Sequence, residues 1–474
     1  MSLTSIPVTS TPLSRFGDIV DSGRLDELEK RASKIAQLLT GRTVFNVNST
    51  GKGGGVAELL SWLLGYIRGA GVNARWCVIE GTPAFFMVTK RLHNMLHGEA
   101  GDGLPLTDSD AETYRTVLGE NAADIRLLIS NGDVVVLHDP QTAGLVPAAK
   151  EAGAIVVWRC HVGREEQNEL TEGGWNFLKP YLEQADALVF SRKEHIPEWA
   201  RGEKTVAIPP SIDPFATKNR PLPLANARAI LAHTGILRHD GYGVHPEFAK
   251  SDGSIGRVNR MADLVQTGPA PSADLKTVVQ VSRWDRLKDM AGVMDSFSKF
   301  VDGPRESRLI LAGPVVTGVA DDPEGGRLLT KCIEQWRELP HFERSRVQLV
   351  CLPMFDFDEN AAIVNALQTH ATVVVQKSLQ EGFGLTVTEA MWKGKAVVAS
   401  AIGGIQDQIV HGESGLLVKD PTDGREIGAA VQSALEDDAL NQQLGANARR
   451  RVQDLFLGDR HLLQYADLLE RLCG

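Results

Sequence analysis

The sequence predicts an α/β protein built of two Rossmann-like domains facing across a cleft. Three observations carry that expectation. Short β-branched apolar runs alternate with helical periodicity from Gly41 onward, and the runs are apolar throughout rather than alternating with polar residues. A proline-dense break, Pro209-Pro210-Ser211-Ile212-Asp213-Pro214, divides the alternation into two blocks. Strands apolar on both faces belong in a parallel sheet covered by helices on each side. At 474 residues the chain exceeds one compact core, and two domains of about 200 residues each are its natural division.

Taken in order, residues 1–40 read as an N-terminal extension: a polar, mobile start with Pro7 and Pro12, then helical periodicity over 24–39. Residues 41–215 form the first Rossmann-like domain. Strands are expected at 43–48, 74–79, 133–137, 154–159, 187–190 and 205–208, with helical stretches that include 56–68, 111–129 and 168–183. The prolines at 209–214 then stop both helix and strand. Residues 216–275 read as an irregular linker or insertion with glycine-rich pieces. The alternation restarts at 277–282 and continues through 308–312, 347–352, 371–376, 396–400 and 415–418, a second Rossmann-like domain over 276–455. A C-terminal helix within 456–474 is free to pack elsewhere, including back on the first domain.

Composition excludes several classes. A net charge of −10 and a pI near 5.7 argue against a general nucleic-acid binder, which needs a basic face. The five cysteines, Cys77, Cys160, Cys332, Cys351 and Cys473, are odd in number and include no CxxC pair. Several sit in apolar runs, so free thiols in a reducing cytoplasm are expected rather than disulfides or a metal site. The N-terminus has no apolar core of a secretory signal, and no run of about 18 apolar residues suggests a membrane span.

The chemistry concentrates at predicted strand ends. The stretch Gln380-Glu-Gly-Phe-Gly-Leu-Thr-Val-Thr-Glu389 follows one apolar strand and opens a helix. A glycine loop there exposes backbone N–H groups at the positive end of the helix dipole, which suits an anion, while Glu381 and Glu389 can grip hydroxyls. Phosphate together with sugar suggests a nucleotide sugar. Ser282-Arg-Trp-Asp-Arg-Leu-Lys-Asp289 closes another strand, and Arg283 with Lys288 offers a planar fork and a compact charge fit for a diphosphate. In the first domain, Asn48-Ser-Thr-Gly-Lys-Gly-Gly-Gly55 follows the first strand and opens a helix. It matches the dinucleotide pattern G-x-G-x-x-G only in part, because Val56 stands at the third position, although Glu80 sits roughly where a ribose-binding acid would be. His138-Asp139-Pro140-Gln141 and Arg159-Cys160-His161 end two further apolar strands, where polar groups are costly unless partnered.

These residues resemble the retaining glycosyltransferases of the GT-B fold, whose Glu-x7-Glu signature is matched by Glu381 and Glu389. Within that superfamily the chain is most similar to the trehalose glycosyltransferring synthases. That likeness rests on Gly53-Gly-Gly-Val-Ala-Glu58, Ala74-Arg-Trp76, Val78-Ile-Glu-Gly81, Thr89-Lys90 with His93-Asn94, His138-Asp-Pro-Gln141 and Trp158-Arg-Cys-His161. It is carried further by Pro209 to Pro214, Val281-Ser-Arg283 and Gly382 to Lys395. The stretch 220–276 is longer than the resemblance would lead one to expect.

The resemblance implies a reversible transfer of glucose from a nucleotide diphosphate glucose to glucose, giving α,α-trehalose with retention. It implies that Arg283 and Lys288 hold the diphosphate, that Glu389 holds the ribose and that Glu381 holds the transferred glucose. The N–H groups at Gly384, Leu385 and Thr386 would face phosphate and sugar, and His161 the glucosyl ring. Gly53, Gly54, Gly55, Glu80, Asp139 and Gln141 would shape the acceptor pocket. No metal or other cofactor is implied. The expected partners are a nucleotide sugar, UDP-glucose or ADP-glucose, with the nucleotide base left open, and a sugar acceptor. Neither nucleic acid nor membrane is expected, and a homodimer is left open. Four alternatives stay open at this point: a trehalose phosphorylase using inorganic phosphate, a related transferase with another acceptor, a dinucleotide oxidoreductase, and a two-lobed sugar-binding protein without catalysis.

Overall fold

The computed structural model describes residues 3–51, 54–239, 245–302, 307–316 and 323–474. The chain folds as two units. The first comprises the residues up to Ser211 together with Phe456–Gly474, and the second is Ile212–Leu455.

The first unit holds seven strands: β1 (Leu3–Ile6), β2 (Val44–Asn48), β3 (Ala74–Ile79), β4 (Val134–His138), β5 (Ile155–Cys160), β6 (Ala187–Phe190) and β7 (Thr205–Ala207). Their order is β1-β3-β2-β4-β5-β6-β7, parallel except where β1 runs antiparallel to β3. The polar N-terminus is therefore not a mobile start: Leu3 pairs with Ile79, and its N–H donates to Asp124 Oδ2 at 2.9 Å. Four residues are too few for a strand to announce itself by pattern, and this one exists because the β3 edge offers unpaired backbone groups. Helices cover both faces, and Val135, Leu137, Trp158, Leu188 and Phe190 are all fully buried between them.

The helix Gly458–Cys473 packs against the helix Ser22–Leu38, sharing an apolar cluster that includes Ile35, Val44, Ala466 and Leu468. Ion pairs rim the contact, with Arg24 on the fully buried Asp459 and Lys34 on Glu470 at 2.8 Å. Exposed pairs of this kind contribute little, so the apolar seam and buried Asp459 carry the docking. The same helix secures the proline break, since the Arg460 guanidinium donates to the carbonyls of Pro209 and Pro210, each at 3.0 Å.

The second unit begins with the stretch read from sequence as irregular, which is largely structured. A helix, Leu224–His233, packs on the helix Phe357–His370. An antiparallel ribbon, β8 (Glu247–Ala249) with β9 (Ile255–Arg257), follows, and β10 (Asp263–Val265) pairs antiparallel with β13 (Val347–Leu352). The remaining strands are β11 (Thr277–Val281), β12 (Arg308–Pro314), β13 (Val347–Leu352), β14 (Val373–Gln376), β15 (Ala396–Ser400) and β16 (Leu416–Val418). The order is β10-β13-β12-β11-β14-β15-β16, parallel from β13 to β16.

Each sheet reverses its winding once, between β2 and β4 in the first and between β11 and β14 in the second. In open α/β sheets that switch point, at the carboxyl ends of the strands, is where ligands bind. The loops leaving β2, β4, β11 and β14 are the ones that carry the motifs. All five cysteines are free thiols. Among the described residues no helix is long and apolar enough to cross a membrane.

Candidate active site

At the switch point of the second unit, two loops are laced together from below. Gln280, buried in β11, donates through Nε2 to the Lys288 carbonyl at 2.7 Å and accepts at Oε1 from the Lys377 N–H at 3.0 Å. The Leu379 N–H adds a bond to the Leu287 carbonyl at 2.7 Å. The loop after β11 turns because Asp285 accepts from the Leu287 N–H at 2.8 Å, closing a single 3-10 turn over Arg286–Lys288. That turn delivers Lys288 to Glu381, with which it forms an ion pair, and Ser378 Oγ donates to the same Glu381 oxygen at 3.2 Å. Arg283 stands more exposed, its guanidinium 2.8 Å from Asp285 Oδ2. Lys377, almost fully buried, pairs with Asp289, which sits in the left-handed region at φ 43° and caps the helix Met290–Phe300. Non-glycine residues held in that region cluster at functional sites.

The glycine loop after β14 is braced from behind. Buried Gln408 donates to the Phe383 carbonyl and accepts from Thr388 Oγ1 at 2.6 Å, while Thr386 Oγ1 donates to Gln376 Oε1 at 3.0 Å. Gly384, at φ 87°, is the N-cap of the helix Leu385–Trp392 and has no side chain with which to cap it. The first turn, with Leu385 and Thr386, therefore presents backbone donors that a bound anion can satisfy. Glu389 lies on this helix, 1% exposed, with Lys218 Nζ 2.7 Å from its Oε1. Lys393 Nζ reaches the Glu389 carbonyl at 3.3 Å. Burial lowers the Lys393 ammonium to about 7; the Glu389 charge opposes that shift and the ammoniums of Lys218 and Lys395 add to it.

In the first unit, the loop leaving β2 is shaped by Asn48, which accepts from Trp76 Nε1 at 2.8 Å and donates to the Thr50 carbonyl at 2.7 Å. Gly53 lies outside the described residues. Gly54, at φ 80°, caps the helix Gly55–Gly69, of which Gly55 is the first residue. Glu80 is exposed, and its backbone is fixed by Asn121, which exchanges bonds of 3.1 and 2.9 Å with it.

His138, Asp139 and His161 come together at the ends of β4 and β5. His138 Nδ1 lies 3.1 Å from His161 Nε2, and its Nε2 lies 3.1 Å from Asn46 Oδ1. Asp139, at φ 63°, accepts the His161 N–H at 2.7 Å, and its own carbonyl accepts from Trp158 Nε1 at 3.1 Å. Burial pushes the Asp139 carboxyl up to about 7, against the His161 N–H and the Arg159 guanidinium, which pull it down. Burial and then Arg159 lower His138 to about 3 and hold His161 well below the usual imidazole range. Both rings are therefore neutral at pH 7 and present one donor and one acceptor each. Gln141 is half-buried on the short turn Asp139–Thr142 that follows.

Sequence reasoning placed no weight on Gln280, Lys377, Gln408, Asn46 or Lys218. Gln280 had a signal, because a glutamine inside an apolar strand is a buried polar group that needs partners. Lys218 and Gln408 are far in sequence from what they hold, and nothing local marks them.

Fold and site together define a glycosyltransferase of the GT-B type. A family model described as the N-terminal domain of trehalose synthase matches residues 46–197, and one described as glycosyl transferases group 1 matches 350–451. A trehalose synthase of Pyrococcus horikoshii is 34% identical over 467 residues, covering 98% of this chain and 97% of the relative. The chain thus belongs to the trehalose synthase family and is a trehalose-related glycosyltransferase. A trehalose phosphorylase of Pleurotus pulmonarius is 26% identical, covering 93% of this chain but 58% of the relative. Among solved structures, a sucrose-phosphate synthase from Thermosynechococcus elongatus superposes with a TM-score of 0.63 at 19% identity, over 91% of this chain and 99% of that one. Membership of this family sets aside the oxidoreductase and the non-catalytic sugar-binding alternatives.

Proposed function

We propose that this chain is a retaining glucosyltransferase that forms α,α-trehalose reversibly from a nucleotide diphosphate glucose and glucose. The observation that carries the reading is the Lys288–Glu381 ion pair at the switch point, beside Arg283 and the open first turn of Leu385–Trp392. Breaking the anomeric bond of such a donor makes an oxocarbenium-like sugar and a diphosphate leaving group. The largest demand is therefore to stabilise departing negative charge, and fixed cations with backbone donors meet it.

In this reading Arg283, Lys288 and the N–H groups of Leu385 and Thr386 bind the diphosphate. As phosphate takes Lys288, Glu381 is released to accept hydrogen bonds from the hydroxyls of the transferred glucose. Glu389 takes the ribose. In the first unit, neutral His161 would face a sugar, and Gly54, Gly55, Glu80, Asp139 and Gln141 would shape the acceptor pocket. We take the reaction to run on the front face, the leaving phosphate accepting the incoming hydroxyl's proton.

The test is donor kinetics. Arg283→Ala and Lys288→Ala are each expected to lower kcat/KM for the nucleotide sugar by about 10²-fold or more, the scale of losing one charge-stabilising donor. Unchanged kinetics in both would overturn the reading. The similarity to a trehalose phosphorylase keeps a second reading alive, in which inorganic phosphate replaces the nucleoside diphosphate. Trehalose cleavage supported by phosphate but not by UDP or ADP would establish it instead.

A further inference from the structure

Glu389 is one of the most completely buried carboxylates of the second unit, and one cation that meets it comes from outside the sheet. Lys218 lies on the segment that leads into this unit, before the helix Leu224–His233. Its Nζ is 2.7 Å from Glu389 Oε1, with 19% of its side chain exposed against 1% for Glu389.

The station of this lysine is built rather than incidental. Asn365 Nδ2 donates to the carbonyls of Thr217 and Arg220, at 3.0 and 2.9 Å. Trp392 Nε1 donates to the Asn219 carbonyl at 3.0 Å. Thr217 Oγ1 donates to Asp358 Oδ1 at 2.8 Å, and Asn219 Nδ2 donates to the Asp213 carbonyl at 2.9 Å. The backbone on both sides of Lys218 is thus fastened by side chains of two helices, Phe357–His370 and Leu385–Trp392. Trp392 lies three positions after Glu389 on the second of these, so one face of that helix carries both the carboxylate and the clamp for its cation.

We propose that Lys218 is a positioning residue of the donor site, holding Glu389 ionised and aimed so that the carboxylate accepts hydrogen bonds from the ribose hydroxyls of the nucleotide. The inference rests on the reading of Glu389 as the ribose-binding carboxylate. Its physical basis is that a carboxylate removed from water keeps its charge only if a cation or several donors compensate it. An ionised carboxylate accepts from both hydroxyls of a vicinal diol. A protonated one must spend an oxygen as donor and matches the diol poorly. Lys218 would therefore act on the nucleotide through Glu389 without touching it.

The experiment compares UDP and ADP with their 2′,3′-dideoxy analogues by calorimetric titration of the full chain, alongside donor kinetics. The wild type is expected to favour the ribose forms. Lys218→Met should weaken UDP or ADP binding by about ten-fold, the scale of one charge-assisted hydrogen bond, while leaving dideoxy binding unchanged, so that the preference collapses. Donor KM should rise with kcat nearly constant. Lys218→Arg should restore part of the preference, and Lys218→Gln serves where the methionine variant does not fold. A purely structural role would lower the melting temperature without moving the ribose-to-dideoxy ratio. If Glu389→Gln abolishes the ratio while the Lys218 variants keep it, the Lys218 proposal is overturned and the ribose reading stands. If Glu389→Gln also keeps the ratio, the ribose reading itself fails and the proposal with it.

Discussion

Gly403→Ala tests how the Glu381 loop is held. A Cβ on Gly403 would stand 1.7 Å from the Glu381 carbonyl oxygen and 2.8 Å from its carbon, with Gly403 at φ 46°. The obstructing atoms are backbone, so no rotamer change relieves the contact and one of the two turns must move. A left-handed alanine costs about 1–2 kcal/mol and relief of overpacking a further 1–3 kcal/mol, for a total of about 2–5 kcal/mol. Gly412→Ala is the matched control. Gly412 has φ 77° but nothing within 4 Å of its Cβ position, so only the backbone term applies. The clash alone should separate the two variants by about 1–3 kcal/mol, or roughly 2–12 °C in melting temperature for a unit of this size. Displacing Glu381 by about an ångström should also reduce kcat/KM for the donor on the order of 10²-fold, with no change in Gly412→Ala. Thermal unfolding and donor saturation measured on both variants decide it. A Gly403→Ala protein as stable as Gly412→Ala, with wild-type donor kinetics, would refute the packing of the Glu381 loop on this turn.

Two further outcomes follow from the first unit. His195 is 1% exposed, neither ring nitrogen has a hydrogen-bond partner among the described residues, and burial, with the charges of Arg192 and His97, lowers it to about 3. Between about pH 6.5 and 3 the unfolded chain binds this proton and the folded chain does not, so stability rises with pH across that window and falls on acidification. At pH 5 the penalty is up to about 2 kcal/mol, and His195→Phe should raise the urea midpoint more at pH 5 than at pH 8. Asp139→Asn keeps an oxygen for the His161 N–H and tolerates φ 63°, so it should fold normally yet raise KM for the sugar acceptor while sparing KM for the donor. Equal changes in both constants would count against an acceptor role for Asp139.

Much of this architecture was legible because the strands of a parallel sheet are buried on both faces and their sequences show it. Val134–His138 and Val373–Gln376 are apolar runs closed by a polar residue, and the chemistry starts at that residue. The pairing of Lys288 with Glu381 was approachable for the same reason, since both sit just past strand ends that the alternation predicts. What stayed hidden was structure set by distant partners. β1 and β10 are short edge strands whose only cause is an open edge elsewhere in the chain. Lys218 reads as the start of an irregular linker until Asn365 and Trp392, well over a hundred positions on, are seen to fasten it.

The ion pairs of the proposed donor site also show how an acidic protein maintains a cationic pocket. Lys288 is matched by Glu381, Lys377 by Asp289, Lys218 by Glu389 and Arg283 by Asp285. Like charges held in a partly buried site repel one another. Each is instead matched by a carboxylate, and removing one partner of a buried pair is more damaging than never having had the pair. In the proposed reading, an incoming diphosphate would exchange with carboxylates already in place. On that reading the exchange would free Glu381 for the sugar hydroxyls once phosphate has taken Lys288. On the same reading Glu389 differs: Lys218, its partner from outside the sheet, would stay in place while the ribose is bound.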